Sequence, residues 1–231
     1  MGAQHDLAAA DAAVAKEPVL DVDAARGLLL SRTSSGLVHE ARNPLNAMAI
    51  HLEVLSDKLQ GEGGKVPEHL ERNVEAARNQ ARRLDQLLRR WGDLAGGHAL
   101  DPLPLQKCVE RATELAAYAL RRGGIGTTVE PNPALEAQVA ARSTEVLLAL
   151  LLHCSERALT GTNLVIAAHY VGVSVCLAIT GGGEEAGDDE ALELAASSLA
   201  RACGGELTDS GAGPRWRYVL RLPIETSWTA T

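Results

Sequence analysis

A histidine, a carboxylate and a carboxamide fall within five positions in the run Leu37-Val38-His39-Glu40-Ala41-Arg42-Asn43-Pro44-Leu45-Asn46, and their types suit phosphoryl chemistry. An imidazole nitrogen is nucleophilic near neutral pH, and a neighbouring carboxylate can hold the other ring N–H and fix the tautomer. His39 and Asn43 are four residues apart, so on a helix they share a face and can address one group together. Pro44 lacks the N–H that would bond the carbonyl of Glu40, which predicts a bend just past the histidine.

The surrounding pattern is that of a helical hairpin. Apolar positions Leu37, Ala41, Leu45, Met48, Leu52, Leu55 and Leu59 alternate steps of three and four, the seam of a coiled-coil-like helix. His39 falls between seam positions and is expected to face solvent, as a nucleophile must. Gly61-Glu62-Gly63-Gly64-Lys65-Val66-Pro67 reads as a turn. A second seam follows at Leu70, Val74, Ala77, Ala81, Leu84, Leu88 and Trp91, and Gly96-Gly97 ends it. Two helices with one apolar stripe each cannot cover those stripes alone, so dimerisation into a four-helix bundle is expected. The hairpin is assigned to residues 21–97, after a flexible N-terminus over 1–20. By periodicity alone the same residues would serve as a structural coiled coil with an exposed histidine.

From about residue 101 to 224 the pattern changes to α/β. Leu103-Pro104-Leu105 reads as a short edge strand, and Gln106 to Arg121 as a helix stopped by Gly123-Gly124. Ile125 to Glu130 reads as a strand, and the apolar stretch Ser143 to Leu159 as a helix with Ser143 as N-cap. Strands over Asn163 to His169 and Val173 to Thr180 join at Gly172. A Gly-rich acidic loop, a helix over Glu190 to Cys203 and a strand over Trp216 to Leu222 close the order. The fold class expected is therefore α+β, a helical hairpin followed by an α/β sandwich.

Composition narrows the functions available. Net charge is −8 and no basic stripe carries interleaved aromatics, so nucleic acid is not an expected partner. Arg82-Arg83, Arg89-Arg90 and Arg121-Arg122 fall among acids on helical patterns and read as solvated faces. The longest apolar run, Val146 to Leu152, is far too short to span a bilayer. The N-terminus has acids at Asp6 and Asp11 and no secretory pattern. Cys108, Cys154, Cys176 and Cys203 form no Cys-x-x-Cys pair and read as buried free thiols. The expected location is cytoplasmic, with no membrane contact, and with signals received from other proteins.

The run from His39 to Leu45 resembles the H-box of sensor histidine kinases, His-Glu-x-x-Asn-Pro-Leu, and the match is complete. The order of elements after residue 101 resembles that family's ATP-binding domain. So do Leu199-Ala200-Arg201-Ala202-Cys203-Gly204-Gly205-Glu206-Leu207 and the closing Tyr218-Val219-Leu220-Arg221-Leu222-Pro223. The resemblance covers nearly everything after residue 30. The nucleotide motifs depart from it. Ala149 and His153 stand where the family has two asparagines, the second helping to hold Mg²⁺, and imidazole is a poor ligand for that hard cation. Thr180 replaces the aspartate that reads adenine in Thr180-Gly181-Gly182-Gly183, although an anion nest at those glycines stays open as a reading. Glu190-Ala191-Leu192-Glu193-Leu194 has lost the glycines of the later phosphate loop. Glu184, Glu185, Asp188, Asp189 and Glu190 crowd the place of a triphosphate, each costing about 1 kcal/mol at ~4 Å even in water.

What the resemblance implies is a histidine phosphotransferase of a two-component phosphorelay with a degenerate ATP-binding domain. His39 would accept a phosphoryl group from a receiver-domain aspartate of a response regulator and pass it to another. Glu40 would orient and polarise the ring, and Asn43 would hydrogen-bond the phosphoryl oxygens or align a water. Arg42 and Asn46 would contact the receiver. No cofactor and no metal of its own are expected, because the receiver brings Mg²⁺. Two other functions remain open at this level: an ATP-dependent histidine kinase with divergent motifs, and a non-catalytic pseudokinase that binds a response regulator. His153 reads as a partly buried, hydrogen-bonded histidine rather than a metal ligand. No role is assigned to His5, His51, His69, His98 or His169, and Trp91, Trp216 and Trp228 read as packing residues.

Overall fold

Two long helices begin the chain in a computed structural model that describes residues 20–59, 71–96, 101–183, 190–210 and 215–225. Helix α1 runs over Val22–Leu59 and α2 over Glu71–Gly96, and the two pack along each other. The expected turn over 61–67, Leu70, Gly97, the acidic residues 184–189, His5, His69, His98, Trp228 and the N-terminal 1–19 lie outside the described residues. Helix α1 continues through Pro44 without a break, with the proline buried. It also begins far ahead of the seam read from Leu37. Ala25 and Leu29 are fully buried, and these first turns pack on the sandwich that follows. Arg26 ties them down: its Nε lies 3.2 Å from Glu145 Oε1, and its Nη2 donates to the Leu94 carbonyl.

The seam itself divides. Leu55 is buried and Leu37, Ala41 and Met48 are half-buried, whereas Leu45, Leu52 and Leu88 are 48%, 58% and 52% exposed. Thr33, Gly36 and Pro44 are the buried positions instead. A heptad stripe is wider than one helix–helix contact, so a single hairpin covers only one flank of it.

The remaining elements are β1 (Leu103–Pro104), α3 (Leu105–Gly123), β2 (Gly126–Val129), β3 (Gln138–Val139), α4 (Ser143–Arg157), β4 (Asn163–Val171), β5 (Ser174–Gly182), α5 (Ala191–Ala202), β6 (Glu206–Asp209) and β7 (Arg215–Pro223). The main sheet has the order β2-β4-β5-β7-β6, with β2 parallel to β4 and the other pairs antiparallel. Strand β7 alternates buried Trp216, Tyr218, Leu220 and Leu222 with exposed Arg215, Arg217 and Arg221. One sheet face is therefore covered and the other open. Helices α3, α4 and α5 form the covering layer, and residues 146–154 of α4 are all buried. The fold is α+β, as expected.

Two local expectations need correction. Ser143 is not a cap: Arg142 occupies that place in helical conformation, and the Ser143 hydroxyl is buried without a partner. The helix is entered from a tight turn in which the amides of Ser143, Thr144 and Glu145 already bond the carbonyls of Ala140, Ala141 and Arg142, so no side-chain cap is needed. The stretch between β2 and α4 also holds more than the pattern shows, namely strand β3, which pairs with β1, and a 3₁₀ turn over Pro133–Glu136. Both are too short to leave a periodicity. All four cysteines are free and buried, as expected. No helix among the described residues is long and apolar enough to cross a membrane.

Candidate functional site

Helical spacing distributes the H-box residues over two flanks of α1. His39, Arg42, Asn43 and Asn46 are all exposed, and steps of three and four keep them on the outer face. His39 thus faces solvent as the seam predicts. Glu40 and Pro44 turn towards α2. The Glu40 carboxylate, only 17% exposed, meets the guanidinium of Arg121 from α3 rather than the His39 ring. The imidazole contacts another residue of α3: its centroid lies 4.9 Å from that of Tyr118, with the planes tilted by 42°.

Nothing in the sequence pattern marks Tyr118 and Arg121 as site residues. Arg121 reads as a solvated charge, and Glu40 and Arg121 are 81 positions apart, beyond any local pattern. One signal is present in Gly36, a glycine inside a helix one turn before His39. A Cβ there would stand 3.0 Å from both Cβ and Cδ1 of Tyr118, so any larger residue would push the Tyr118 side chain back by a few tenths of an ångström.

Two grooves flank this contact. One, of about 550 Å³, opens beside Glu40 between α2 and α3 and is lined by Arg82, Arg83, Arg90, Glu114 and Arg121. The other, of about 440 Å³, lies on the far side of Tyr118 and includes Ser31, Arg32, Ser35 and Arg122. Guanidinium groups outnumber carboxylates in both, which favours an anionic visitor despite the negative charge of the whole chain.

The counterpart of the nucleotide site is built differently. Gly181 and Gly182 lie in β5, paired with Trp216 and Arg215 of β7. They are strand residues and do not form an anion nest. A Cβ on Gly181 would fall 2.5 Å from Cη2 of Trp216, and one on Gly183 only 2.1 Å from the Arg157 carbonyl. These glycines therefore admit an indole and a backbone. Trp216 is 1% exposed. Arg157 lies 5.7 Å from both the Trp216 and Tyr218 ring centroids, a cation–π arrangement. Thr180 is half-buried, its hydroxyl 3.5 Å from the Val165 carbonyl.

His153 is buried and hydrogen-bonded, as read from its apolar helix, with Nε2 2.8 Å from Tyr218 Oη. Arg157 Nη1 donates to the same hydroxyl, and Glu193 Oε2 lies 3.6 Å from His153 Nε2. Burial, followed by the charge of Glu193, pushes the Tyr218 hydroxyl well above its ordinary range. Burial and then Asp209 raise the Glu193 carboxyl. The position that the resemblance assigns to a magnesium ligand thus holds a buried imidazole bonded to Tyr218, whose hydroxyl it shares with Arg157. Among the described residues no three His, Cys, Asp or Glu side chains could hold a metal ion.

Comparison with known proteins singles out the hairpin. The family model for the His Kinase A (phospho-acceptor) domain matches residues 29–95. Among solved structures, a bacterial phosphotransferase is similar at 18% identity and a TM-score of 0.47, over 88% of this chain and 98% of its own. AdeS, a histidine kinase of Acinetobacter baumannii, is similar at 18% identity and a TM-score of 0.45, over 81% and 98%. A histidine kinase from Burkholderia phymatum STM815 is similar at 14% identity and a TM-score of 0.47, over 85% and 98%. No curated protein matches the chain.

Proposed function

We propose that this chain, whose residues 29–95 match the His Kinase A (phospho-acceptor) domain, is a histidine phosphotransferase that exchanges phosphoryl groups with receiver-domain aspartates and takes none from ATP. The observation that carries this reading is the contrast between an exposed His39 and a nucleotide counterpart filled by Trp216. A lone pair of the imidazole attacks phosphorus, the N–P bond forms, and the P–O bond to the aspartate breaks, returning its electron pair to the carboxylate. The other ring nitrogen keeps its proton, so the phosphorylated ring is cationic. Glu40, adjacent in the helix, balances that charge. Asn43, on the same exposed face, donates its amide to the phosphoryl oxygens. Arg42 and Asn46, exposed beside them, contact the receiver, which supplies Mg²⁺ for both directions of transfer. The arginine-lined grooves on either side favour a partner that arrives phosphorylated.

Dimerisation belongs to the same proposal. Val38, Leu45, Leu52 and Leu88 leave 48–58% of their surface open along the flank of the hairpin that α1 and α2 do not bury for each other. A second copy would cover them in a four-helix bundle. The test offers the purified protein two donors, a receiver charged with labelled acetyl phosphate and labelled ATP with Mg²⁺. Label on His39 from the receiver alone supports the phosphotransferase. Label from ATP makes the protein a kinase with divergent motifs, and no label from either leaves a binding protein.

A further inference from the structure

The sandwich reaches the phosphoacceptor through one helix, and three observations there converge. The ring of Tyr118 lies against the His39 imidazole, with centroids 4.9 Å apart. Arg121, one turn further along α3, engages Glu40, the residue next to the histidine. Gly36, one turn before His39, removes the side chain that would keep Tyr118 away, since a Cβ there would meet it at 3.0 Å. The Arg121 side chain is 61% exposed and that of Glu40 17%, so the pair reaches from solvent into the α1–α3 contact beside the ring. Arg121 also comes from the α3 turn that joins both basic grooves, with Arg122 lining the second.

We infer that α3 completes the phosphoacceptor site, with Tyr118 and Arg121 as positioning residues: Tyr118 packs on the imidazole and restricts its rotamers, and Arg121 holds the Glu40 carboxylate on the α3 side, which fixes the turn of α1 that presents the ring. This rests on the phosphotransferase reading, and it gives the sandwich a task at His39 in place of nucleotide delivery. An exposed imidazole on a bare helix samples several rotamers, and in-line attack on an aspartyl phosphate uses one of them. A ring packed on one face of the imidazole removes the unproductive rotamers and leaves the edge nitrogens open to the receiver.

The experiment uses the full chain with Tyr118→Leu, Tyr118→Phe, Arg121→Gln, Arg121→Lys and Gly36→Ala, with two readouts. The first is the ring spectrum of His39 in the free protein by proton–carbon NMR, assigned by the loss of its signals in His39→Gln. Tyr118→Leu and Gly36→Ala are expected to displace those signals through the lost or shifted ring current, and Tyr118→Phe to preserve them. The second is transfer from a charged receiver. Tyr118→Leu and Gly36→Ala are expected to slow the rate at saturating receiver by about tenfold with receiver affinity unchanged, and Arg121→Gln to slow it as much at saturation. Tyr118→Phe and Arg121→Lys should stay near wild type.

His39 signals that do not move in Tyr118→Leu, or slowing that arises wholly from weaker receiver binding, would overturn the inference. Gly36→Ala leaves both α3 side chains in place and decides the matter if Tyr118→Leu does not fold. Should wild type accept no phosphate at all, the phosphotransferase reading fails. The ring spectra still report whether Tyr118 packs on His39.

Discussion

The outer face of α1 around His39 and the sheet end around Gly181 are packed in opposite ways. At the first, His39, Arg42, Asn43 and Asn46 stand exposed and the neighbouring aromatic, Tyr118, touches the imidazole without burying it. At the second, glycines admit the indole of Trp216, and Arg157 lies over it while donating to Tyr218. Solvent stays open to the first region, whereas side chains fill the second, because open apolar space inside a protein costs stability.

The largest effect that would break this contrast is at His39 itself. His39→Gln is expected to reduce phosphoryl uptake from a charged receiver to background, measured as acid-labile label, with the melting temperature unchanged because the side chain is exposed. Next comes the apolar flank of the hairpin. Leu45→Glu combined with Leu88→Glu places charges on side chains 48% and 52% exposed in the single chain, and sedimentation equilibrium is expected to show a shift from dimer to monomer. A pair of charges that leaves the sedimentation unchanged would remove this flank as the dimer contact.

At the sheet end around Gly181, Trp216→Ala is expected to destabilise the fold by about 3–5 kcal/mol, read by urea unfolding. Gly181→Ala should destabilise as well, since its Cβ would collide with the indole. The double variant should lose less than the sum of the two, because the alanine methyl enters the space the indole leaves. Strict additivity would mean that Gly181 and Trp216 do not share that space.

The smallest effect concerns pH. Burial, then Asp209, raises the Glu193 carboxyl. A raised carboxyl favours the folded state while protonated. That stabilisation is complete below the ordinary glutamate value of about 4.3 and is lost as pH rises through the raised folded value. Glu193→Gln is therefore expected to melt like wild type near pH 4 and somewhat higher at pH 7. A wild-type profile that instead falls towards acid at this site would reverse the assignment.

Much of this architecture is legible in the sequence. The three-and-four spacing places both hairpin helices, the exposure of His39 follows from its position between seam residues, and β-rich runs place β4, β5 and β7. What escapes does so for physical reasons. Residues 22–36 are part of α1, but of their buried members only Leu29 is large and apolar, and Ala25, Thr33 and Gly36 are too small or too polar to draw a stripe with it. The Tyr118 and Arg121 contacts arise from packing between helices far apart in the chain. The glycines after Thr180 read as a loop signal, because only the position of Trp216 across the sheet explains why nothing larger fits. Gly36 is a visible hint that another element approaches α1.

The most direct measurement mixes the purified protein with a phosphorylated receiver in the absence of nucleotide and follows phosphorus by NMR, mapping the product by proteolysis. The account predicts an acid-labile phosphoramidate on the peptide containing His39, formed as aspartyl phosphate disappears and unaffected by added Mg-ATP. Phosphate that appears on His39 only when ATP is supplied, or that never leaves the receiver, would contradict it.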